Sequence, residues 1–485
     1  MRKLLLFFLS VNLSAAGSYA ESLKDRVENI AESDNFKNAQ WGISVKYADT
    51  GEEILSYNSE KSLVPGSTVK LFVSFAALEF FGEEHSFATD IFRDKSVDNG
   101  ILNGNIYLRG GGDPSLGSDL VRGSLKTEEV FEQWLAALKQ AGIKEIRGSV
   151  LADDSLFEGK PVSGDWSWED LGNYYAAGPS GLSINDNLYK LYFKPSETVG
   201  GKAEVLRMEP EIYGLKFINF MRTGPPGSGD NGYIFNFPDN YTAVLRGTIP
   251  QNGPEFAIKG SIPEPALFCA AYFTEYLKKN GTPVKGAAGR VSDKTDYGAK
   301  MPIHENQSPA LKDLIFVLHK RSFNLYAETL LRHMAVFKNR AGTIENGIDV
   351  LTQFLKSKGI AGSGFRIVDA CGLSRLNLAK ASDFSGLLLY AAKKEYFSSF
   401  YDSLVFPGDP DATGHIRIFG ADTPLEKVLR VKSGSLNKVR SYCGYLKTKK
   451  GRLAAFAFIV NNFSAAPSEI EKEHERILTR IAGEF

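Results

Sequence analysis

Ser67-Thr68-Val69-Lys70 sets a hydroxyl and an amine three positions apart, where an apolar run of helical length begins. On a helix that spacing puts both side chains on one face, so the amine can reach the hydroxyl. Burial would lower the lysine's pKa and let it take the serine's proton, which makes the serine a nucleophile. The start of a helix adds backbone N–H groups and a positive dipole end beside any developing oxyanion. Lys432-Ser433-Gly434 is the only Lys-Ser/Thr-Gly in the chain. It offers an ammonium and a hydroxyl to a carboxylate, and a glycine that lets a ligand approach the backbone. Ser322-Phe323-Asn324 supplies a hydroxyl and an amide beside the polar break His319-Lys320-Arg321. Each pattern alone is cheap. Ser435 to Lys438 also fits the first, and Ser33-Asp34-Asn35, Ser56-Tyr57-Asn58 and Ser183-Ile184-Asn185 fit the third. A serine at a helix start is also a common N-cap.

The elements that must position these residues follow from periodicity. Trp41 to Asn58 alternates around Asp49-Thr50-Gly51 and predicts a β-hairpin. Ser67 to Phe81 is too apolar for an exposed helix and predicts a buried one. From about residue 86 to 304, Gly/Pro turns separate short strand-like runs, among them 104–110, 148–152 and 239–248. One helical segment, Thr127 to Ala141, lies among them. Helical patterning returns at 308–336, 343–358 and 380–393, and strands are expected at 429–435, 441–448 and 453–461. A charged amphipathic helix, Ser468 to Ile481, follows. The expected fold is α+β: the N-terminal hairpin and the late strands in one antiparallel sheet flanked by helices, with the β-rich middle looped out. The expected division is a core of residues 21–85 and 305–485, interrupted by an insert of one or two subdomains at 86–304.

Composition bounds the class. The 485 residues carry 57 Lys+Arg against 57 Asp+Glu, with 43% hydrophobic residues, which fits a globular chain and argues against disorder or a nucleic-acid partner. Three cysteines cannot form a disulfide framework, and at least one lacks an intramolecular partner. Arg2 and Lys3, the apolar run Leu4 to Val11, and Ser18-Tyr19-Ala20 have the layout of a secretory signal peptide over residues 1–20. No later apolar run approaches the ~20 residues of a membrane helix, so an exported protein without a stable anchor is expected. The six histidines show no metal-ligand spacing, and no Lys-Ser/Thr follows Gly110-Gly111-Gly112 as a P-loop requires.

Ser-x-x-Lys, Ser-x-Asn and Lys-Ser-Gly in this order are the motif set of penicillin-binding proteins and serine β-lactamases. More closely, the chain resembles the S13, or penicillin-binding protein 4-like, family of D-alanyl-D-alanine carboxypeptidases/endopeptidases. The likeness runs over nearly all of the chain after residue 20. It includes Asn105 to Pro114, Ala152 to Phe157, Ser180 to Asn187 and Gly372-Leu373-Ser374-Arg375. The 255 positions between Ser67 and Ser322 suit this family, whose extra domains are inserted there. Two departures stand out. Asp369-Ala370-Cys371-Gly372 replaces the family's usual Asp-Gly-Ser-Gly, and Ser433 stands where threonine is usual.

The resemblance implies a transpeptidase-like core and cleavage of D-Ala-D-Ala in peptidoglycan stem peptides through a serine ester, without metal or organic cofactor. It also implies covalent inhibition by β-lactams and a periplasmic location. Ser67 would be the nucleophile, Lys70 its base, and the Ser67 and Ser435 amides the oxyanion hole. Ser322 would relay a proton and Asn324 would hold the substrate backbone. Lys432, Ser433 and Gly434 would meet the terminal carboxylate. Arg375 would contact the diaminopimelate end of the stem peptide, together with Asp153 or Asp154. The competing expectations are a serine β-lactamase or esterase with the same apparatus, and a non-catalytic peptidoglycan-binding protein.

Overall fold

The computed structural model describes residues 22–251, 253–292 and 294–485; the expected signal peptide lies outside them. A five-stranded antiparallel sheet organises the core. Its order is Leu429–Leu436, Val439–Lys447, Leu453–Asn461, Gln40–Tyr47, Glu53–Tyr57, so the early hairpin and the late strands share one sheet as expected. The strand Leu453–Asn461 explains why these segments read as almost continuously apolar. Ala455, Ala457 and Ile459 enter one core, while Ala454, Phe456, Phe458 and Val460 enter another. Alternate residues of a strand face opposite sides, and here both sides are covered.

The first core lies under a helical layer: Lys70–Phe81, Leu311–Lys320, Asn324–Phe337, Ile344–Ser357 and Ala381–Ala391. In the first of these, every residue from Lys70 to Leu78 is buried, as its unbroken apolar run requires. The second core is closed by Leu23–Glu32 and Pro467–Glu484, which pack against each other and the sheet. The helix Leu23–Glu32, capped by Ser22, was not anticipated from the sequence.

Between the core's two parts the chain builds further sheets. Ala88–Arg93, Ile106–Gly110, Val150–Asp153, Gly289–Arg290 and Met301–Gln307 make one of five strands. Leu188–Lys194 lies between Glu204–Glu209 and Phe256–Ser261 in another, and Thr242–Pro250 is the hub of a third. Two helices pack among them rather than the single one expected. Besides Thr127–Gln140 there is Pro265–Lys279, and Trp134 meets Phe273 edge to face at 5.1 Å between them. The second helix carries Phe268, Tyr272 and Tyr276 four residues apart, on one helical stripe. Their aromatic composition suggests strand, and only the spacing reveals the helix.

The turn that carries Ser67 is tied to the end of the sheet's middle strand. Asn461 donates to Val64 O (3.0 Å) and accepts from Val64 N (2.7 Å) across 397 positions.

Candidate active site

Pro65-Gly66 turns the chain into a short 3-10 segment, Gly66–Val69, which runs directly into the helix Lys70–Phe81. Ser67 therefore stands one turn before Lys70, and Lys70 Nζ lies 2.9 Å from Ser67 Oγ. The amine also donates to Asn324 Oδ1 (2.7 Å) and to the Cys371 carbonyl (2.5 Å). Three donors thus meet three acceptors, the arrangement of a charged ammonium. Ser67 Oγ itself donates to the same Cys371 carbonyl, at 3.1 Å. Burial pushes the Lys70 pKa below its ordinary value, against the pull of Cys371, Asp369 and Glu328. The predicted pair is therefore assembled, with a lysine biased toward losing its proton.

Lys432 enters from the strand Leu429–Leu436, with Nζ 2.9 Å from Ser322 Oγ and 2.7 Å from Ser433 O. Burial, and then the charge of Lys70, hold its pKa well below the usual lysine value. Ser322 sits at the break between two helices with φ +53°, a left-handed conformation costly for a residue with a Cβ. The three sequence motifs therefore form one hydrogen-bonded cluster. Ser435 to Lys438 and Ser183 to Asn185, which mimic the motifs, lie in the strand turn and in the insert.

Gly434 shows why glycine follows the lysine and serine. A Cβ there would fall 2.3 Å from Pro65 O, 2.3 Å from Ser441 Oγ and 2.9 Å from Ser67 N. One placed on Gly66 would lie 3.1 Å from Ser435 N, so the strand and the nucleophile's turn touch backbone to backbone. The amides of Ser67 and Ser435 border this seam. Gly434→Ala should force it open and lower the rate of serine acylation by about 10²-fold or more, the cost of losing one oxyanion donor. Stopped-flow acylation beside a thermal melt separates that loss from unfolding.

The loop Asp369 to Gly372 departs from the family's usual sequence, yet its role rests on backbone atoms. Asp369 accepts from Gly372 N (2.8 Å), Asn377 Nδ2 (2.7 Å), Ser374 N (2.6 Å) and Trp166 Nε1 (2.9 Å). Glu328, Asp369 and Cys371 cluster closely enough to suggest metal ligands. Both Asp369 oxygens are already taken by these donors, so the cluster works as a loop clamp. All three cysteines are buried and free, and Cys371 contributes its carbonyl to the site.

The insert supplies one wall, and its acids differ in their surroundings. Asp153 accepts from Tyr297 Oη (2.6 Å) and Ser155 N (2.9 Å), and Asp154 pairs with Arg290 at 2.9 Å. Asp153 ends the strand Val150–Asp153, Asp154 follows it, and both are held by partners within the insert. Asp170 stands in a different position. Burial raises its pKa, a bond from Tyr175 Oη (3.0 Å) opposes that, Glu169 adds to it, and the positive Arg375 counters it. Arg375 is exposed and donates to Asn437 O at 2.8 Å. The same insert segment reaches the cluster twice more: Tyr175 O accepts from Asn324 Nδ2 at 2.6 Å, and Trp166 holds Asp369. The sequence signal that could have found it is the aromatic density of Trp166, Trp168, Tyr174 and Tyr175 around a lone Glu169-Asp170 pair.

Among the described residues no helix is long and apolar enough to cross a membrane. Comparison with known proteins places the whole arrangement. The D-alanyl-D-alanine carboxypeptidase of Actinomadura sp. (strain R39) is 28% identical over 476 residues, covering 96% of this chain and 86% of that protein. The D-alanyl-D-alanine carboxypeptidase DacB of Haemophilus influenzae is 26% identical over 467 residues, covering 96% and 93%. The crystal structure of penicillin binding protein 4 from Haemophilus influenzae superposes with a TM-score of 0.78 at 23% identity, covering 93% of this chain and 97% of that one, and so shares the fold. A profile of the D-Ala-D-Ala carboxypeptidase 3 (S13) family matches residues 23–481, and the chain belongs to that family.

Proposed function

We propose that this chain is an exported serine-type D-Ala-D-Ala peptidase acting on peptidoglycan stem peptides. The observation that carries the reading is the convergence of Lys70 Nζ on Ser67 Oγ, Asn324 Oδ1 and the Cys371 carbonyl. When Lys70 loses its proton it keeps two N–H groups for Asn324 and Cys371 and turns its lone pair toward Ser67. The serine hydroxyl then swings from the Cys371 carbonyl to the amine, which takes its proton as Oγ attacks the carbonyl between two D-amino acids. The oxyanion forms at the seam between the Ser67 and Ser435 amides. Ser322, fed by Lys432, hands a proton to the leaving amine. Lys432 and Ser433, beside Gly434, hold the substrate's terminal carboxylate. Water then cleaves the ester.

Asp170 and Arg375, near enough for the arginine's charge to act on the carboxyl, would meet the amine and the carboxylate of a diaminopimelate side chain, with Asp170 taking the part first expected of Asp153 or Asp154. A cross-linked diaminopimelate at the leaving side makes the same chemistry an endopeptidase reaction. Similarity to the Actinomadura and Haemophilus D-alanyl-D-alanine carboxypeptidases supports this activity, and the layout of residues 1–20 supports export to a periplasm. β-Lactams present the same acyl-D-Ala-D-Ala shape and should acylate the same serine.

Intact-protein mass spectrometry after benzylpenicillin tests the reading. A single lasting adduct that maps to Ser67 is expected. An adduct that disappears as penicillin is consumed would make the chain a β-lactamase, and no adduct at all would leave a binding protein.

A further inference from the structure

Glu328 stands one helical turn beyond Asn324 and is 1% exposed. A buried carboxyl needs partners, and among the described residues it forms no ion pair. Its Oε1 instead accepts from Ala370 N (2.8 Å) and Cys371 N (2.9 Å). The carbonyl of that same Cys371 is the one that receives both Lys70 and Ser67. A continuous path therefore runs from carboxylate to amide to carbonyl to the reacting pair.

Building on the peptidase reading above, we infer that Glu328 is a positioning residue for acylation. It grips the loop that aims the Cys371 carbonyl at Lys70 and Ser67, and its charge governs how readily Lys70 gives up a proton. Nothing in the three motifs assigns it this part. Glu328 does not face the substrate cleft and acts only through the loop and through its field.

The electrostatics give the sign. Burial pushes the Glu328 carboxyl up to about 7, with Asp369 raising it further and the Cys371 thiol, the Ala370 amide and Arg332 pulling down. The groups that face it are Asp369 and Cys371 from the loop, Arg332 from its own helix, and Lys70 from the nucleophile's helix. On the far side of Lys70 lie Lys432 and the buried His319, whose pKa is also driven down. Ionised Glu328 favours the charged form of Lys70 and so holds back the free amine. Neutralising it should make the free amine available at lower pH.

The test is acylation by a chromogenic β-lactam, followed by stopped flow from pH 5 to 9 on the full chain. Glu328→Gln keeps an oxygen for the two loop amides and removes the charge. Its acid limb should move down by about one pH unit, the size one close buried charge imposes. Glu328→Ala strands both amides and lets the loop shift, and its plateau rate should fall by about 10²-fold, far more than in the Gln variant. A purely structural role would lower the plateau and leave the limb in place. A folded Gln variant whose limb coincides with the wild type would overturn the inference, and so would an Ala variant that melts normally and acylates at the wild-type rate. If the wild-type chain takes no label, the peptidase reading itself falls and this inference with it.

Discussion

Replacing Lys70 by Met should reduce acylation by β-lactams about 10⁴-fold, the upper end of what positioned proton transfer contributes. The size follows from the number of tasks that meet on one amine. In the proposed mechanism Lys70 accepts the Ser67 proton, and it also fixes Ser67, Asn324 and the Cys371 carbonyl relative to one another. Methionine fills the same volume but offers no donor and no base. Ser67→Ala should abolish the adduct altogether. Groups that act as a unit lose their effects together, so the double variant should be no slower than Ser67→Ala alone in hydrolysing a D-Ala-D-Ala peptide. If hydrolysis by Ser67→Ala persisted at the wild-type rate, neither residue could hold the role given it. Single-turnover kinetics with the peptide and the β-lactam in parallel make the measurement.

The largest stability effect is expected at Lys320, two residues before Ser322. Lys320 Nζ donates to Asp409 Oδ2 at 2.5 Å and to Leu404 O at 2.7 Å, and the two charged side chains are only 3% and 1% exposed. The pair staples the end of the helix Leu311–Lys320 to the segment leading into the strand of Lys432. Lys320→Met removes one partner and leaves a buried carboxylate uncompensated, a change that typically costs about 3–5 kcal/mol. Denaturant unfolding at pH 7 should show that loss. Lys320→Met combined with Asp409→Leu should recover much of it, because apolar groups of similar volume replace a buried pair at little net cost. A single variant that unfolds at the wild-type midpoint would remove the pair from any structural account of Ser322.

The core and the reacting residues were legible in the sequence for a physical reason. The strand Gln40–Tyr47 and the strands from 429 onward are short apolar runs bounded by turns and are buried on both faces of the sheet, and the helix from Lys70 to Leu78 is buried on every side, so pattern and place agree. Ser67, Lys70, Ser322, Asn324 and Lys432 come together through their side chains, and side chains are what a sequence spells out. The Cys371 carbonyl acts through the backbone, which every residue shares, so its part showed only in the geometry. The acids of the insert read differently in sequence and in structure. Asp153 and Asp154 are adjacent and conspicuous, but Tyr297 and Arg290 reach them from more than a hundred positions away. Asp170 was inconspicuous in sequence, and becomes significant only once Arg375 and Tyr175 are folded beside it.

The link between Val64 and Asn461 has a consequence for how such an enzyme is made. The turn that carries Ser67 is completed by a strand that leaves the ribosome some 397 residues later. Contacts so distant in the chain close slowly and late. The insert and the helices can gather first, but a chain stopped short of Asn461 holds its serine without the sheet that gives it a partner. A copy that lacks Asn461 should therefore lose the hold on the Ser67 turn, and labelling of that serine by a β-lactam should fall with it.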